Sequence, residues 1–234
     1  MSTNLTAFVS GNELPVLSDE ALADAIEQAQ AATGEGSRDT TFTQYLSFSG
    51  KTGIYALGKD RDDVDPEALF LVEPMSFTDG WICWKSRKPV DRVEWNYIDQ
   101  GRAVIESDLP DHGPYNSAMG EGWSSLLGFG CVSLDEAVTQ IKFSSNAISA
   151  RNSITDLHNE IKDRARRGEA QIPVIHLDKA QFEAQGATNW KPKFVVEVWV
   201  TRESAGAYTN GGLTLDDLVS GVTVKKVTKK KKKK

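Results

Sequence analysis

The chain has 234 residues, 39% of them hydrophobic, with two cysteines and a net charge of −6. This is apolar material for one core of ordinary domain size, and no apolar run approaches the ~20 residues that a membrane-spanning helix needs. Eight of the 27 bases are lysines within residues 225–234, leaving 19 bases against 33 acids over residues 1–224, a balance of −14 that excludes a duplex-coating protein of the histone kind.

Residues 1–39 hold seven acids and one base, Arg38. Residues 1–11 lack the basic-then-apolar order of a secretory signal, so a soluble chain in the cytoplasm is expected. Within this region "SDEALADAIEQAQAA" reads as a helix. Ser18 can cap it, Asp19 and Glu20 suit its positive end, and Ala21, Leu22, Ala25, Ile26 and Ala29 form an apolar stripe. "TGEGSRD" follows as a linker.

From residue 40 the periodicity shortens. "TFTQYLSFSG" alternates and leads into "KTGIYALGK". Gly50-Lys51-Thr52 matches the end of a phosphate-binding P-loop, but Tyr45 stands where that loop needs glycine and no helix follows. A hairpin turn between two short strands fits better. "DRDDVD" (Asp60 to Asp65) has the composition of a calcium loop without its central glycine or terminal glutamate, and reads as a solvated turn. "ALFLVEPMSF", "GWICWKSRKP" and "DRVEWNYI" continue the run of short strands. Residues 106–122 form a long polar loop rich in Gly and Pro. "GEGWSSLLGFG" lacks the G-x-S-x-G elbow of a serine hydrolase. Cys83 and Cys131 sit in apolar company and read as small buried hydrophobes.

"AVTQIKFSS" is a further strand. "NAISARNSITDLHNEIKDRARRG" is the clearest helix, with Ile148, Ile154, Leu157 and Ile161 as its buried face, bases in its last turn and Gly168 as its stop. "IPVIHLD" and "KPKFVVEVWVT" are strong strands, and "TLDDLVSG" suggests a short helix. His112, His158 and His176 show no metal-ligand spacing, and no metal or cofactor is expected. Strands, one helix, then strands matches a mainly β (α+β) fold: an OB-like five-stranded or elaborated β-barrel with one principal helix. The expected division is 1–39 acidic helix and linker, 40–202 barrel, 203–224 peripheral appendage, and 225–234 a disordered lysine-rich tail.

Aromatic residues recur beside bases in four of these segments. Tyr45, Tyr55, Lys51 and Lys59 lie in the first hairpin. Trp81, Trp84, Trp95 and Tyr97 lie near Lys85, Arg87, Lys88 and Arg92. Lys142, Phe143 and Arg151 form a third group, and Trp190, Lys191 and Lys193 a fourth. Flat rings on which bases stack, with cations for phosphates, are what single-stranded nucleic acid requires. Tryptophans in β-rich domains also fill cores, and hairpin lysines also deter edge pairing, so both readings stand for each residue.

The segment Phe48–Asp65, the "VEPMSF…GWICW" run over Val72–Trp84, and the stretches Lys142–Arg151, Pro173–Leu177 and Phe194–Val200 resemble a family of early proteins of tailed bacteriophages. The likeness spans roughly residues 40–201. Members are described as single-stranded DNA-binding proteins of an OB-like kind. The resemblance implies a non-catalytic, largely sequence-independent binder acting in replication or recombination in the host cytoplasm. Its contacts would be Tyr45, Lys51, Tyr55, Lys59, Trp84, Lys85, Arg87, Lys88, Lys142, Arg151, Lys191 and Lys193. Implied partners are single-stranded DNA, phage or host replication proteins, and further copies of the chain. The acidic body supports an alternative: an interaction module that binds a host replication or defence factor.

Overall fold

The structure, a computed structural model, describes residues 44–96, 103–134, 140–184 and 186–220. The helix read in residues 18–32, Tyr97 and the lysine run of 225–234 lie outside the described residues. Among the described residues ten strands form one sheet: β1 (Gln44–Phe48), β2 (Tyr55–Leu57), β3 (Asp62–Asp63), β4 (Leu69–Val72), β5 (Thr78–Lys85), β6 (Lys88–Asn96), β7 (Gly122–Ser133), β8 (Gln140–Ser145), β9 (Ile172–Ala184) and β10 (Ala187–Val200). Helix α1 spans Ile148–Arg166, α2 Arg202–Thr209 and α3 Leu215–Val219.

The strand order is β10-β9-β4-β7-β8-β1-β2-β3, with β5 also on β7 and β6 on β5. Neighbours are antiparallel except β1 and β8. The sheet curls into a half-barrel until its β1–β2 turn meets β10, where the Trp190 N–H donates to Gly50 O at 2.8 Å. The described residues are thus β-rich with few helices, built on a curled sheet.

Strand alternation places two apolar sets on opposite faces. Phe70 and Val72 of β4 point into the concave face, with Phe129, Phe143 and Ile175, and Leu71 points out. The concave face wraps α1 through Ala150, Ile154, Leu157 and Ile161. Ile148, read in the sequence as part of that buried face, is 70% exposed and Ala150 takes its place, because the chain has barely entered the helix at Ile148 and the sheet is first met one half-turn later. Phe194 meets Phe129 edge-on, ring centroids 5.1 Å apart, in the geometry aromatic pairs prefer. Leu71, Val132 and Val174 on the convex face are covered by Ala205 of α2 and Leu218 of α3. A capping box between Thr214 and Asp217 starts α3.

β7 is the spine. Its second half pairs with β4 and its first half with β5, on the same edge. β4 and β5 are separated by a 3-10 turn at Pro74–Ser76, where Glu73 caps the Met75 N–H. The Ser76 hydroxyl fills the resulting gap: it lies 2.6 Å from Glu73 O and 3.0 Å from Gly130 O, and accepts the Gly130 N–H at 2.7 Å. The Glu-Pro-Met-Ser run is therefore the point at which the sheet branches, one arm to β9–β10 and the other to β6.

Candidate nucleic-acid interface

The hairpin β5–β6 turns through two residues, Ser86 and Arg87, between the paired Lys85 and Lys88. Both have positive φ, 49° and 63°, a two-residue turn that ordinarily takes Asn-Gly. For L residues this conformation costs roughly 1–2 kcal/mol each. Glu121 helps to hold it: its carboxylate accepts the N–H groups of Asn116 and Ser86, each at 2.9 Å. Those two bonds hold the Glu121 carboxyl below its usual range. Trp84, Arg87, Met119, Glu121 and Asn146 line a hollow of about 220 Å³ beside this turn. Asn146 immediately precedes the N-terminal end of α1, whose first residues have no side-chain cap.

The opposite face of β5 is covered by the loop between β6 and β7. Trp81 donates its indole N–H to Val104 O at 2.7 Å, and Trp123 donates to Pro110 O at 2.9 Å. Lys85 gives its ammonium to the carbonyls of His112 and Gly113, while His112 Nε2 lies 2.8 Å from Asp91 Oδ2. The loop between β6 and β7 is thereby tied to the hairpin by side chains from both strands.

A second ring–cation group lies where the sheet curls round. The Lys179 ammonium stands 4.8 Å from the centroid of the half-buried Trp190 ring, within cation–π range. The β1–β2 turn packs on both. Gly53, at φ +69°, has no room for a Cβ, which would fall 2.7 Å from the Lys179 side chain and 2.8 Å from the Trp190 ring. Lys51 is exposed at the tip of this turn and Lys191 follows Trp190 on β10. The first two turns of α1 adjoin both groups: Arg151 Nη1 lies 3.4 Å from Ser125 O on β7, and the Ser153 hydroxyl donates to Pro192 O on β10 at 2.7 Å.

The twelve residues singled out from the sequence fall into three sets. Lys51, Lys59, Arg87, Lys88 and Lys191 are exposed, as is Tyr45, with Trp84 half-buried. Tyr45 lies near Lys59, since its carbonyl accepts the Gly58 N–H at 2.9 Å. Lys85, Arg151 and Lys193 are engaged within the protein, Lys193 through Asp178 at 3.0 Å. Two residues are interior. Tyr55, expected to stack on a base, is 8% exposed with its ring on Phe48. Its hydroxyl donates to Asp178 O at 2.7 Å and accepts the Lys193 N–H at 3.2 Å. Burial pushes that phenol's pKa well up. Lys142, expected on a phosphate, is 2% exposed and paired with Glu94 at 3.1 Å. Neither presents a surface to a ligand, because Tyr55 points into the concave core and Lys142 is covered by its pairing with Glu94.

Lys179 and Asn146 escaped the sequence reading. Lys179 follows "IPVIHLD", and only the β9–β10 register, which pairs it with Pro192, brings it to Trp190. Cys83 and Cys131 are free and buried as expected, and burial pushes the Cys131 thiol up to about 12. Among the described residues no cluster of three or more His, Cys, Asp or Glu could hold a metal. No family model, no curated protein and no solved structure matches the chain.

Proposed function

We propose that the protein binds single-stranded DNA, stacking bases on Trp84 and Trp190 and holding phosphates with Lys51, Arg87, Lys88, Lys179 and Lys191. The observation that carries this reading is the Lys179–Trp190 pair at 4.8 Å, seated under the β1–β2 turn with Lys51 at its tip. It joins a ring and cations on a body whose net charge is otherwise negative. The uncapped end of α1 follows Asn146, which lines the Trp84–Arg87 hollow, and Ser153 in its second turn donates to Pro192 O near Trp190, so its partial positive charge adjoins both groups. Ring faces discriminate poorly among bases, so binding is largely independent of sequence. In this reading the curled sheet is an elaborated OB-like barrel, and the protein is a non-catalytic phage component acting in replication or recombination in the host cytoplasm.

Affinity for an oligo-dT strand, measured across salt concentrations, tests it. The expected slope is ~0.7 log units in affinity per decade of salt for each phosphate contacted. Absent binding, or a flat response to salt, contradicts the reading. A second reading, docking of a basic protein partner, draws on the carboxylates Glu67, Asp178 and Glu197 around one groove. It is distinguished by capture of a host protein from nuclease-treated lysate by a chain that shifts no oligonucleotide.

A further inference from the structure

A groove of about 480 Å³ opens beside the start of β4 and is lined by residues of β9 and β10, with Asp178 one residue before Lys179. Pro66, Leu69 and Val219 supply apolar wall, and Glu67, Asp178 and Glu197 supply carboxylates. The Asp178 and Glu197 side chains are 42% and 43% exposed. Asp178 faces Lys193 at 3.0 Å, and Glu197 faces His176. Glu67 is exposed and makes no ion pair among the described residues. The groove thus combines a greasy wall with more acid than base, a surface suited to lysine, whose methylene stem covers apolar area while its ammonium meets a carboxylate.

The chain itself delivers such lysines. Val219, which lines the groove, is the last residue of α3, and after Ser220 begins the segment 221–234, with eight lysines, three valines and no acid. An extended chain advances about 3.3–3.6 Å per residue. The five steps from Ser220 to Lys225 therefore cover about 17 Å, enough to cross the rim from where the helix ends. A short tether also holds a segment at an effective concentration in the mM range. A contact too weak to detect between separate molecules is then substantially occupied within one.

We propose that the basic segment 221–234 docks in cis on this groove, its lysines meeting Glu67, Asp178 and Glu197 and its valines lying toward Leu69 and Val219. The docked segment neutralises part of the acidic body and keeps that face from recruiting other basic chains. The contact is independent of nucleic-acid binding and stands or falls separately from it.

The test uses the full chain and a carbodiimide that joins amines directly to carboxylates, with the links mapped by mass spectrometry. The expected result is a dominant set of links from Lys225, Lys226 and the later lysines to Glu67, Asp178 or Glu197 at low salt. At about 1 M salt, where screening acts within ~3 Å, these links should fall several-fold. The double variant Glu67→Gln, Glu197→Gln should lose most of them. Links spread evenly over exposed acids such as Asp60, Asp62 and Asp216 overturn the proposal. So do links found mainly between light and heavy chains in an isotope mixture, which mean contact between copies. Should the double variant fail to fold, excess synthetic peptide of residues 221–234 added to the wild-type chain must displace the intramolecular links; their persistence overturns the proposal equally.

Discussion

Lys142 Nζ lies 3.1 Å from Glu94 Oε2, joining β8 to β6 across the two strands between them. Arg92 reinforces the bridge, with its guanidinium on Glu94 and on the Ser144 hydroxyl, each at 2.9 Å. Glycines make the close approach of these strands possible: a Cβ on Gly80 of β5 would fall 2.2 Å from Val93 O. Burial alone would raise the Glu94 carboxyl, but the bonds and charges of Arg92 and Lys142 hold it below the usual range. Its contribution to stability is therefore complete above the ordinary glutamate pKa of about 4.3 and is lost as pH falls through the lower folded value. Glu94→Gln should cost about 3 kcal/mol near neutral pH by taking the Glu94 charge away from the buried Lys142 and from Arg92, read as a lower urea midpoint. The deficit relative to wild type should shrink in acid. An unchanged midpoint contradicts the pairing.

Ser76 closes the gap where the sheet branches, through Glu73 O and both polar groups of Gly130. Ser76→Ala deprives the buried Gly130 N–H of its acceptor, while Glu73 O keeps the Ser76 N–H and Gly130 O the Glu73 N–H, at about 1–3 kcal/mol. Thermal unfolding checks the loss. Ser76→Thr keeps the hydroxyl, and should recover part of it.

Arg87 offers a separation of stability from binding. Its φ of 63° is a conformation glycine adopts freely. Arg87→Gly should raise stability by about 0.5–1 kcal/mol, the relief of strain less the extra freedom of the unfolded glycine. If the strained arginine is there to hold phosphate beside Trp84, the same variant binds oligo-dT more weakly. A variant that is both more stable and equally tight removes Arg87 from the interface.

Tyr55 makes the complementary case. Tyr55→Phe deletes the hydroxyl that bridges Asp178 O and the Lys193 N–H, and should lower stability by about 1–2 kcal/mol. Once folded, the variant should bind oligo-dT as wild type does, because the ring offers no face to a ligand. Loss of affinity without loss of stability contradicts that placement.

The sequence made some elements plain and hid others for identifiable reasons. The period of α1, with Gly168 beyond its end, and the Gly-Lys-Thr-Gly turn of the first hairpin carry local signals that the fold keeps. β7, on which the whole sheet depends, was invisible because Gly122, Gly128 and Gly130 and a pair of serines break its apolar alternation. Those small residues are what crowding by neighbouring strands demands: at Gly128 a Cβ would meet Phe143 O at 2.8 Å. Alternation also separates the two faces of a strand without saying what covers each, which is why Tyr55 and Lys142 read as surface residues. Conversely, Lys179 meets Trp190 through cross-strand register, a relation between β9 and β10 that no single segment contains.

The most direct measurement is tryptophan fluorescence during titration with oligo-dT, on wild type and on Trp84→Phe and Trp190→Phe. Quenching is expected in the wild type, with a smaller quench in each variant and weaker binding on further truncation of either ring to alanine, by about 1–3 kcal/mol for each base that loses its stack. Emission that does not change with oligonucleotide, or that is quenched equally in all three proteins, would contradict stacking on these two rings.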